Sequence, residues 1–469
     1  MNFHSFQFFG FLVLVLGLHY ALPRPGRRWL LLVASYVFYG AWDWRFLGLI
    51  LLSTTLDWWL ALRIADEPDG RRRRRWIVVS VVANLGILGV FKYTDFFLAS
   101  FCALTGADPN AWLLHIVLPP GISFFTFQSM SYTIDVYRGH VPARRSLVDF
   151  ALFVAFFPQL VAGPIVKANE FFPGYDDWRR PGDADLQRGV RLILVGLVQK
   201  TVFADQLAPL VDGCFGHHDV VGFLPALTAV VAFGLQIFFD FAGYSNLAIG
   251  TALLFGYRFP TNFQRPYLAT NVAEFWHRWH ISLSTWLREY LYIPLGGNRH
   301  GPWRTQRNLM LTMLLGGLWH GASLNFVAWG GLHGLYLVVH RLWRAHVVPC
   351  LGERVVRGVA YRLAAWLLTL VAVGIAWVFF RARTFDDAWF VLGQLLTPGM
   401  PGQSVLSTAW CVVIAATLLL ARSLDNGTLE ARFHEASPFR RGLVFAGLLM
   451  VLVLFAVTDG SGAFLYFQF

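Results

Sequence analysis

Two neighbouring stretches of sequence are the most informative about this chain: 271-NVAEFWHRWHISLSTWLREYLYIPLGGN-298 and 308-NLMLTMLLGGLWHGASLNFVAWGGLHG-334. The first mixes aromatic and charged residues and carries His277 and His280. The second is apolar, is interrupted by glycines and carries His320 near its middle. Almost all of the remaining chain is hydrophobic, which predicts membrane-spanning segments that support these two stretches.

The composition is that of a polytopic membrane protein. Of the 469 residues, 56% are hydrophobic and only 14% are charged, with a mean hydropathy of +0.53. Soluble domains contain about 25% charged residues. Because the hydrophobicity continues from Phe6 to the C-terminus, the sequence predicts one all-α membrane domain over residues 1–469. About ten to twelve transmembrane helices are expected.

Charge and cysteine usage argue against two other classes of protein. The net charge of +11 comes mostly from arginine in short loops, with lysine only at positions 92, 167 and 200. Basic short loops follow the positive-inside rule, so nucleic acid is a poor candidate partner. Such loops follow the first, third and fifth apolar runs, which predicts that they are cytoplasmic and that the N-terminus is outside. The four cysteines lack the CxxC spacing of a zinc site or disulfide framework.

Apolar runs near the length of a membrane span, about 17 to 25 residues, recur along the chain. They lie near residues 6–22, 29–42, 46–64, 76–98, 113–137, 147–163, 189–210, 221–257, 321–342, 358–379, 405–421 and 440–457. The run at 221–257 is too long for one ordinary helix and is expected to bend or break around 240–243. Proline and glycine interrupt 118–123 and 159–166, which predicts backbone lining an internal cavity or funnel. No repeat of fixed period is visible, which argues against an inverted-repeat transporter.

The first of the two stretches quoted above predicts a single amphipathic helix over 272–291 that lies in the membrane interface. Asn271 followed by Glu274 resembles a capping box, and the Pro-Leu-Gly-Gly sequence at 294–297 ends the helix. One face carries Val272, Trp276, Trp279, Leu283, Leu287 and Tyr290, and the other carries Glu274, Arg278, Ser282, Thr285 and Glu289. On spacing alone, His280 is more simply a histidine hydrogen-bonded at the interface than a functional group. His277 and His280 have metal-ligand spacing, but without further ligands no metal site is predicted.

His320 follows an apolar run of only about ten residues, a length that often marks a re-entrant segment. An ionisable residue at membrane depth is by default a candidate functional group. A buried imidazole stays neutral at pH 7 and can accept a proton, as a general base must. A histidine satisfied by a carbonyl group is the equally open alternative. His333 would lie about 20 Å away if one helix carried both residues, and is expected to serve packing.

Asp240 is a carboxylate within another apolar run, so it must be paired, protonated or hydrated. The arginines at positions 258, 265 and 288 are its candidate partners. A structural ion pair is the favoured interpretation of this residue.

Several longer motifs resemble the membrane-bound O-acyltransferase (MBOAT) family, in particular its bacterial alginate O-acetyltransferase branch. They are FWHRWHISLS at 275–284, LREYLYIPLGGN at 287–298 and GLWHGA at 317–322. Supporting matches are GISFFTFQ at 121–128, YTIDVYR at 132–138, FPQLVAGP at 157–164, DFAGYS at 240–245 and FYGAWDWR at 38–45. The similarity covers the chain to about residue 385, with a signature core over about 118–340.

This resemblance implies a polytopic helical fold around a central funnel, with re-entrant and interfacial helices. The family's essential histidine, in its Trp-His-Gly motif, maps onto His320, and the histidine of its Trp-His-Ile-Ser motif maps onto His280. Both are therefore expected to be catalytic, with His320 as the general base. Candidates for binding the donor or substrate are Trp276, Ser282, Arg288, Arg299, Trp319 and Asp240. Asn246 departs from the family pattern, in which aspartate is expected.

The implied reaction passes an acetyl group from a cytosolic thioester donor, acetyl-CoA, to an exported polysaccharide such as alginate or cellulose. No bound cofactor is expected. The implied setting is the bacterial inner membrane and its lipid, with a periplasmic partner of the esterase-like SGNH type. The alternative reaction is D-alanyl or peptidoglycan acyl transfer. A non-catalytic transporter or exporter component is the alternative from a different class.

Overall fold

The computed structural model describes residues 3–160, 163–216, 222–397, 432–433 and 435–456. Over these residues the regular structure is helical and contains no β-strand, which confirms the predicted all-α fold. The chain forms two compact units, and each combines two separate parts of the sequence. That all 469 residues act as a single domain stays a prediction.

The first unit consists of residues Met1–Ile193 and Tyr244–Pro260. Its helices are α1 (Phe6–Ala21), α2 (Arg24–Asp43), α3 (Leu47–Asp66), α4 (Gly70–Leu88), α5 (Thr94–Thr105), α6 (Pro109–Trp112), α7 (Ile122–Arg138), α8 (Leu147–Ala155), α9 (Phe157–Leu160), α10 (Ala168–Asp176) and most of α11 (Asp183–Leu197). A 3-10 turn at Trp44–Phe46 joins α2 to α3, and a π-helical turn at Gly89–Tyr93 joins α4 to α5.

The start of α7 shows how a sequence break positions a helix in this unit. Pro119 and Pro120 precede Gly121, whose φ of +75° suits a residue without a Cβ. Residues 113–121 are accordingly not helical, so the predicted interruption is confirmed. Beyond it, α7 is buried along most of its length and packs against α3, α4 and α8.

The second unit consists of residues Leu194–Gly243 and Thr261–Phe469. Its helices are α12 (Asp205–Gly216), the first part of α13 (Phe223–Leu254), α14 (Val272–Arg278), α15 (Ile281–Leu287), α16 (Gly301–His320), α17 (Leu324–Leu342), α18 (Val348–Leu351), α19 (Glu353–Arg357), α20 (Val359–Arg381), α21 (Phe385–Gln394) and α22 (Pro438–Phe455). Short turns of helix lie at Val198–Ala204, Pro266–Leu268, Arg288–Tyr292 and Trp343–Val347.

Six of the described segments are long and apolar enough to cross a membrane, which fits a multi-pass protein. They are Arg24–Asp66, Gly70–Thr105, Asp183–Phe215, Phe223–Leu254, Val359–Arg381 and Pro438–Phe455. Fewer segments qualify than the ten to twelve expected because Arg24–Asp66 covers two of the expected runs and some other runs fold as shorter helices. The run at 147–163, for example, begins with the nine-residue α8. The predicted span at 405–421 lies outside the described residues.

Helix α13 corrects one prediction, since it continues unbroken for 32 residues through the expected break at 240–243. The Asp240 carboxylate lies 2.6 Å from the Nζ of buried Lys200. At Gly243, a Cβ would lie 2.8 Å from the carbonyl oxygen of Gly196. The carboxylate and the glycine therefore serve close packing against the neighbouring segment, and neither interrupts the helix.

Candidate active site

The backbone turns sharply at His280, which separates α14 from α15. Trp279 is extended, and His280 has φ +43° and ψ +55°, a left-handed conformation that is uncommon for a residue with a side chain. The segment 262–264 holds both sides of this turn. Its Asn262 carbonyl accepts from the Ile281 N–H at 2.9 Å, and the Gln264 N–H donates to the Arg278 carbonyl at 2.9 Å. The prediction of one continuous helix over 272–291 is therefore wrong.

Asn262 reinforces this turn through its side chain. The hydroxyl of Ser282 donates to the Asn262 Oδ1 at 2.7 Å, and the Ser282 N–H lies 3.3 Å from the same atom. Asn262 and His280 are both buried. Ser282, predicted as a binding residue, thus lies where it stabilises the backbone around His280. At the start of α14, Asn271 is the N-cap as predicted, since its Oδ1 accepts from the Glu274 N–H at 2.9 Å. The reciprocal half of the capping box differs, because the Glu274 carboxylate accepts from the Thr270 N–H at 2.7 Å.

The His280 imidazole is enclosed on the inside of the second unit. Its exposed fraction is 0%, and the ring of Phe241 packs edge-on against it with ring centroids 4.6 Å apart. The rings of Trp319 and His320 follow at 6.1 and 6.5 Å. His280 lies between short helices, outside the six spanning segments, and burial lowers its pKa from 6.5 to about 3. The side chain is therefore a neutral imidazole at pH 7.

His320 is the last residue of α16, and the α16–α17 hairpin positions it. This hairpin depends on glycine. A Cβ at Gly317 would lie 2.2 Å from the Phe326 carbonyl oxygen, and a Cβ at Gly330 would lie 2.4 Å from the Met313 carbonyl oxygen. Any larger residue would force the two helices apart, which would move His320.

Aromatic rings surround His320 and fix its orientation. Ring centroids of Trp329, Trp319 and Phe380 lie 4.9, 5.0 and 5.4 Å from that of His320. Trp329 itself stacks against Trp377 at 6.2 Å. With 5% exposure, His320 is buried but not sealed as completely as His280.

His333 belongs to the same aromatic cluster, and the structure corrects its predicted distance from His320. The two histidines lie on the two helices of a hairpin, not on one helix. The Trp329 ring contacts both imidazoles, with its centroid 4.9 Å from each. The predicted packing role agrees with this position. Trp276, predicted as a binding residue, donates its Nε1–H to His333 Nδ1 at 3.3 Å.

Asp240 is a buried member of an ion-pair cluster, as predicted, but its partner is not an arginine. The Nζ of Lys200 lies 2.6 Å from Asp240 and 2.9 Å from Asp205. This lysine precedes Asp240 by forty residues, whereas the candidate partners were all arginines that follow Asp240 in the sequence. The next residue, Phe241, is the one that contacts His280.

Arg288 and Arg299, predicted to bind the donor, lie apart from the enclosed histidines. Arg288 begins the π-helical turn, is exposed and lies 3.4 Å from Glu289. Arg299 lies in the exposed turn that precedes α16. Both positions suit contact with a ligand in solution more than contact with the two imidazoles.

The structure also adds residues that sequence reasoning did not single out. Asn262 holds the backbone beside His280, and Phe241 contacts the His280 ring. Trp329 and Phe380 contact the His320 ring. The one available signal was the spacing of Trp329 and His333, which places both on one face of α17. Among the described residues, no group of three His, Cys, Asp or Glu side chains is arranged to hold a metal ion.

Together, the spanning helices and the pair of buried imidazoles define an integral membrane protein with a histidine-centred site. Comparison with known proteins identifies the family within this class of membrane proteins. Residues 138–380 match the sequence model of the MBOAT, membrane-bound O-acyltransferase family. The chain belongs to this family, and it is accordingly an O-acyltransferase and a multi-pass membrane protein.

Relatives extend the similarity over nearly the whole chain. A probable alginate O-acetylase of Azotobacter vinelandii is 44% identical, over 98% of this chain and 98% of its own length. A protein of the same description from Pseudomonas aeruginosa is 44% identical, over 92% and 83%. The peptidoglycan O-acetyltransferase of Helicobacter pylori is 35% identical, over 94% and 84%. The similarity thus continues beyond residue 385, where the recognised motifs end. It favours an O-acyltransferase over a non-catalytic transporter.

Proposed function

We propose that this chain is an O-acetyltransferase that passes an acetyl group from a cytosolic thioester, acetyl-CoA, toward an exported polysaccharide. The observation that carries the proposal is the pair of buried imidazoles, His280 and His320, with ring centroids 6.5 Å apart in a member of an acyltransferase family. Acetyl as the acyl group and an alginate-type acceptor are supported by the relatives that share 44% of their sequence with this chain.

His320 is proposed as the general base. Its imidazole takes the proton of the acceptor hydroxyl while the hydroxyl oxygen bonds to the carbonyl carbon of the thioester. The carbon–sulfur bond then breaks, and the imidazolium returns the proton to the leaving thiolate. The reaction consumes no net proton and leaves His320 neutral. General base catalysis of this kind contributes about 10²- to 10⁴-fold in rate.

His280 is proposed to stabilise the negative charge that develops on the thioester oxygen. A neutral imidazole has one N–H, and the burial of His280 keeps it neutral at pH 7. A preorganised donor in an enclosed site needs little reorganisation when the charge develops, and is worth about 3 kcal/mol. The tight turn at His280 and the Phe241 ring provide this preorganisation.

The other predicted residues fall into two groups. Trp319 contacts both imidazoles. Trp276 donates a hydrogen bond to His333 and Ser282 donates one to Asn262, so these two residues support the site indirectly. Asp240 is proposed to support Phe241 through its ion pair with Lys200, and not to touch substrate. Arg288 and Arg299 are proposed to contact the phosphates of the donor, since exposed guanidinium groups suit phosphate oxygens.

The proposed setting is the bacterial inner membrane. A donor made in the cytosol and an exported polymer lie on opposite sides of a bilayer, so a multi-pass protein is needed to connect them. A periplasmic partner of the SGNH esterase type is proposed to receive the acetyl group and deliver it to the polymer.

Peptidoglycan is the second candidate acceptor, because the relative that is 35% identical carries that activity in its name. D-alanyl transfer is the third. Mass spectrometry of the polymer and of the cell wall from the same cells distinguishes all three, since acetyl and alanyl esters differ in mass.

The decisive experiment measures ester content in cells that carry His320→Ala, with the membrane level of the protein measured in parallel. Loss of at least about 100-fold of the ester at a normal protein level is expected for a lost general base. The matched control is His19→Gln, since His19 is equally buried but lies in the first unit, against Trp178 and Phe255. Normal ester content with His320→Ala would overturn the mechanism.

A further inference from the structure

The outward face of α4, in the first unit, carries three arginines that the described part of the chain leaves without partners. Arg71, Arg74 and Arg75 are exposed, and none of their side chains forms a hydrogen bond or ion pair with a residue that the structure describes. The other two arginines of the run are engaged. The Nε of Arg72 lies 3.8 Å from the carboxylate of the N-cap aspartate, and Arg73 donates to two carbonyl oxygens at the end of α7.

The positive charge on this face is electrostatically unfavourable for α4 alone. Like charges that are three and four residues apart on a helix repel one another. The partial positive charge at a helix N-terminus also disfavours a cation in the first turn, where Arg71 lies. The first turn contains no acidic residue, and the N-cap aspartate pairs with Arg72. An anion bound beside the three arginines would therefore lower the electrostatic cost of this arrangement.

Beyond the arginines, the same face of α4 continues as an apolar stripe. Its residues have side chains that are 45 to 63% exposed: Val78, Val79, Val82 and Leu85. At 3.6 residues per turn, the three arginines and this stripe fall within an arc of about 140°. The most apolar window of the candidate spanning segment Gly70–Thr105, to which α4 belongs, is only 22% buried. This face of the helix is therefore one that meets lipid.

Tryptophan marks the boundary between the charged and the apolar part of the face. Trp76 directly follows the last arginine, and its ring lies edge-on 5.5 Å from that of Trp59 on α3. Arg63, whose guanidinium lies 5.2 Å from the Trp59 ring, adds a cation on this neighbouring helix. Indole rings favour the interface between lipid headgroups and hydrocarbon. From Trp76 to Leu85 the helix rises about 14 Å, close to the depth of about 15 Å that one leaflet of hydrocarbon has.

We propose that this face of α4 is a binding site for an anionic phospholipid of the surrounding membrane. The phosphate of the lipid accepts hydrogen bonds from the guanidinium groups of Arg71, Arg74 and Arg75, and an acyl chain packs along the apolar stripe. Guanidinium suits this role because it presents several N–H donors to phosphate oxygens at once. The site is independent of the proposed acyl transfer, since it uses residues of the first unit and none of the proposed catalytic residues.

The chemistry of the face selects this ligand over two others. A zwitterionic phospholipid carries its own cation in the headgroup, so it gains less from a cluster of arginines. A soluble phosphate compound has no acyl chain, so it leaves the stripe uncovered. An anionic phospholipid matches both the charged and the apolar part of the face.

The test compares lipid binding by the wild type and by a variant that carries Arg71→Gln, Arg74→Gln and Arg75→Gln. Native mass spectrometry of the purified full-length protein counts bound lipid as phosphatidylglycerol or phosphatidylcholine is added. The wild type should bind phosphatidylglycerol in preference, and the variant should bind it about 100-fold more weakly, since three arginines near an anionic headgroup are removed. Equal binding of the two lipids by the wild type, or unchanged binding of phosphatidylglycerol by the variant, would overturn the proposal.

Two further variants separate this site from net charge and from folding. Arg304→Gln, Arg354→Gln and Arg383→Gln together remove three exposed arginines of the second unit and change the net charge equally. This control should bind phosphatidylglycerol as the wild type does, and a loss as large as in the first variant would refute a specific site. Lysine at positions 71, 74 and 75 keeps the charge and should retain most of the binding. If the lysine variant loses as much as the glutamine variant, positive charge does not hold the lipid and the proposal is wrong.

A competition experiment separates a lipid from a soluble anion. Glycerol 3-phosphate carries a phosphate group without acyl chains, so a large molar excess of it should leave phosphatidylglycerol bound to the wild type. Displacement of the lipid would show that the arginines bind a phosphate group alone, which would overturn the assignment of a phospholipid.

Discussion

The polar side chains buried in the two units have different kinds of neighbours. In the first unit, Asp57 is surrounded by hydroxyl and amide groups at 2.7 to 2.9 Å. In the second unit, His280 and His320 are surrounded by the rings of Phe241, Trp329 and Phe380, with centroids 4.6 to 5.4 Å away. The network around Asp57 holds its helices together through hydrogen bonds, whereas the aromatic rings hold each imidazole through close packing.

The hydrogen-bonded network of the first unit supports helix packing, whereas the ring-lined site of the second unit carries the proposed chemistry. Packing by shape depends on how closely backbones approach, so the second unit should be sensitive to added volume near its histidines. A hydrogen-bonded network depends on matched donors and acceptors, so the first unit should tolerate changes that keep this match. Four substitutions in the second unit test this difference, and they are taken in order of decreasing expected effect.

The largest effect is expected from Gly317→Leu, because a Cβ at this position would already lie 2.2 Å from the Phe326 carbonyl oxygen. The α16–α17 hairpin cannot close around such a side chain, so little folded protein should reach the membrane. Immunoblotting and size-exclusion chromatography measure this loss. The matched control is Gly86→Leu on α4 of the first unit, where a Cβ would meet nothing within 4 Å. Equal amounts of the two variants would show that close backbone approach does not position His320.

Lys200→Met should have the second-largest effect, a loss of stability, because it leaves the carboxylates of Asp205 and Asp240 buried without their shared cation. Removing one partner of a buried ion pair costs about 3 to 5 kcal/mol. Asp240→Asn should cost less, since Lys200 still pairs with Asp205. Thermal unfolding in detergent ranks the two variants, and the reverse order would contradict this account of the cluster.

Substitutions of His280 separate its backbone from its imidazole. His280→Ala and His280→Gly both remove the proposed donor, so each should lower acetyl transfer by about 10²- to 10³-fold. Only alanine is strained at φ +43°, by about 1 to 2 kcal/mol, so the glycine variant should be the more stable of the two. Ester content and unfolding temperature measure the two effects separately. Wild-type ester content in the glycine variant would exclude a catalytic imidazole at this position.

The smallest effect is expected from Trp276→Phe. This change keeps an aromatic ring against Trp329 but removes the Nε1–H that donates to His333 at 3.3 Å. The loss of one such hydrogen bond costs about 1 kcal/mol. Unfolding should shift slightly while ester content stays near normal. A large loss of ester would mean that Trp276 binds substrate directly.

Local features of the fold could be predicted because short stretches of sequence set them. The Pro-Pro-Gly sequence at 119–121 ends one segment and starts α7, and Asn271 caps α14. The turn at His280 could not be predicted in this way, since it depends on hydrogen bonds from the distant segment 262–264. Amphipathic spacing over 272–291 still indicated the buried face correctly, because both short helices keep the same side inward.

The hydrophobic composition of the chain was enough to predict an all-α membrane protein, and motifs that resemble a known family identified His280 and His320. The 6.5 Å distance between these two imidazoles, and the contact of Trp329 with both His320 and His333, depend on tertiary packing. The same packing makes Lys200 the partner of Asp240. Composition and motifs act locally along the chain, whereas these contacts join residues that are far apart in sequence and meet only when the helices pack.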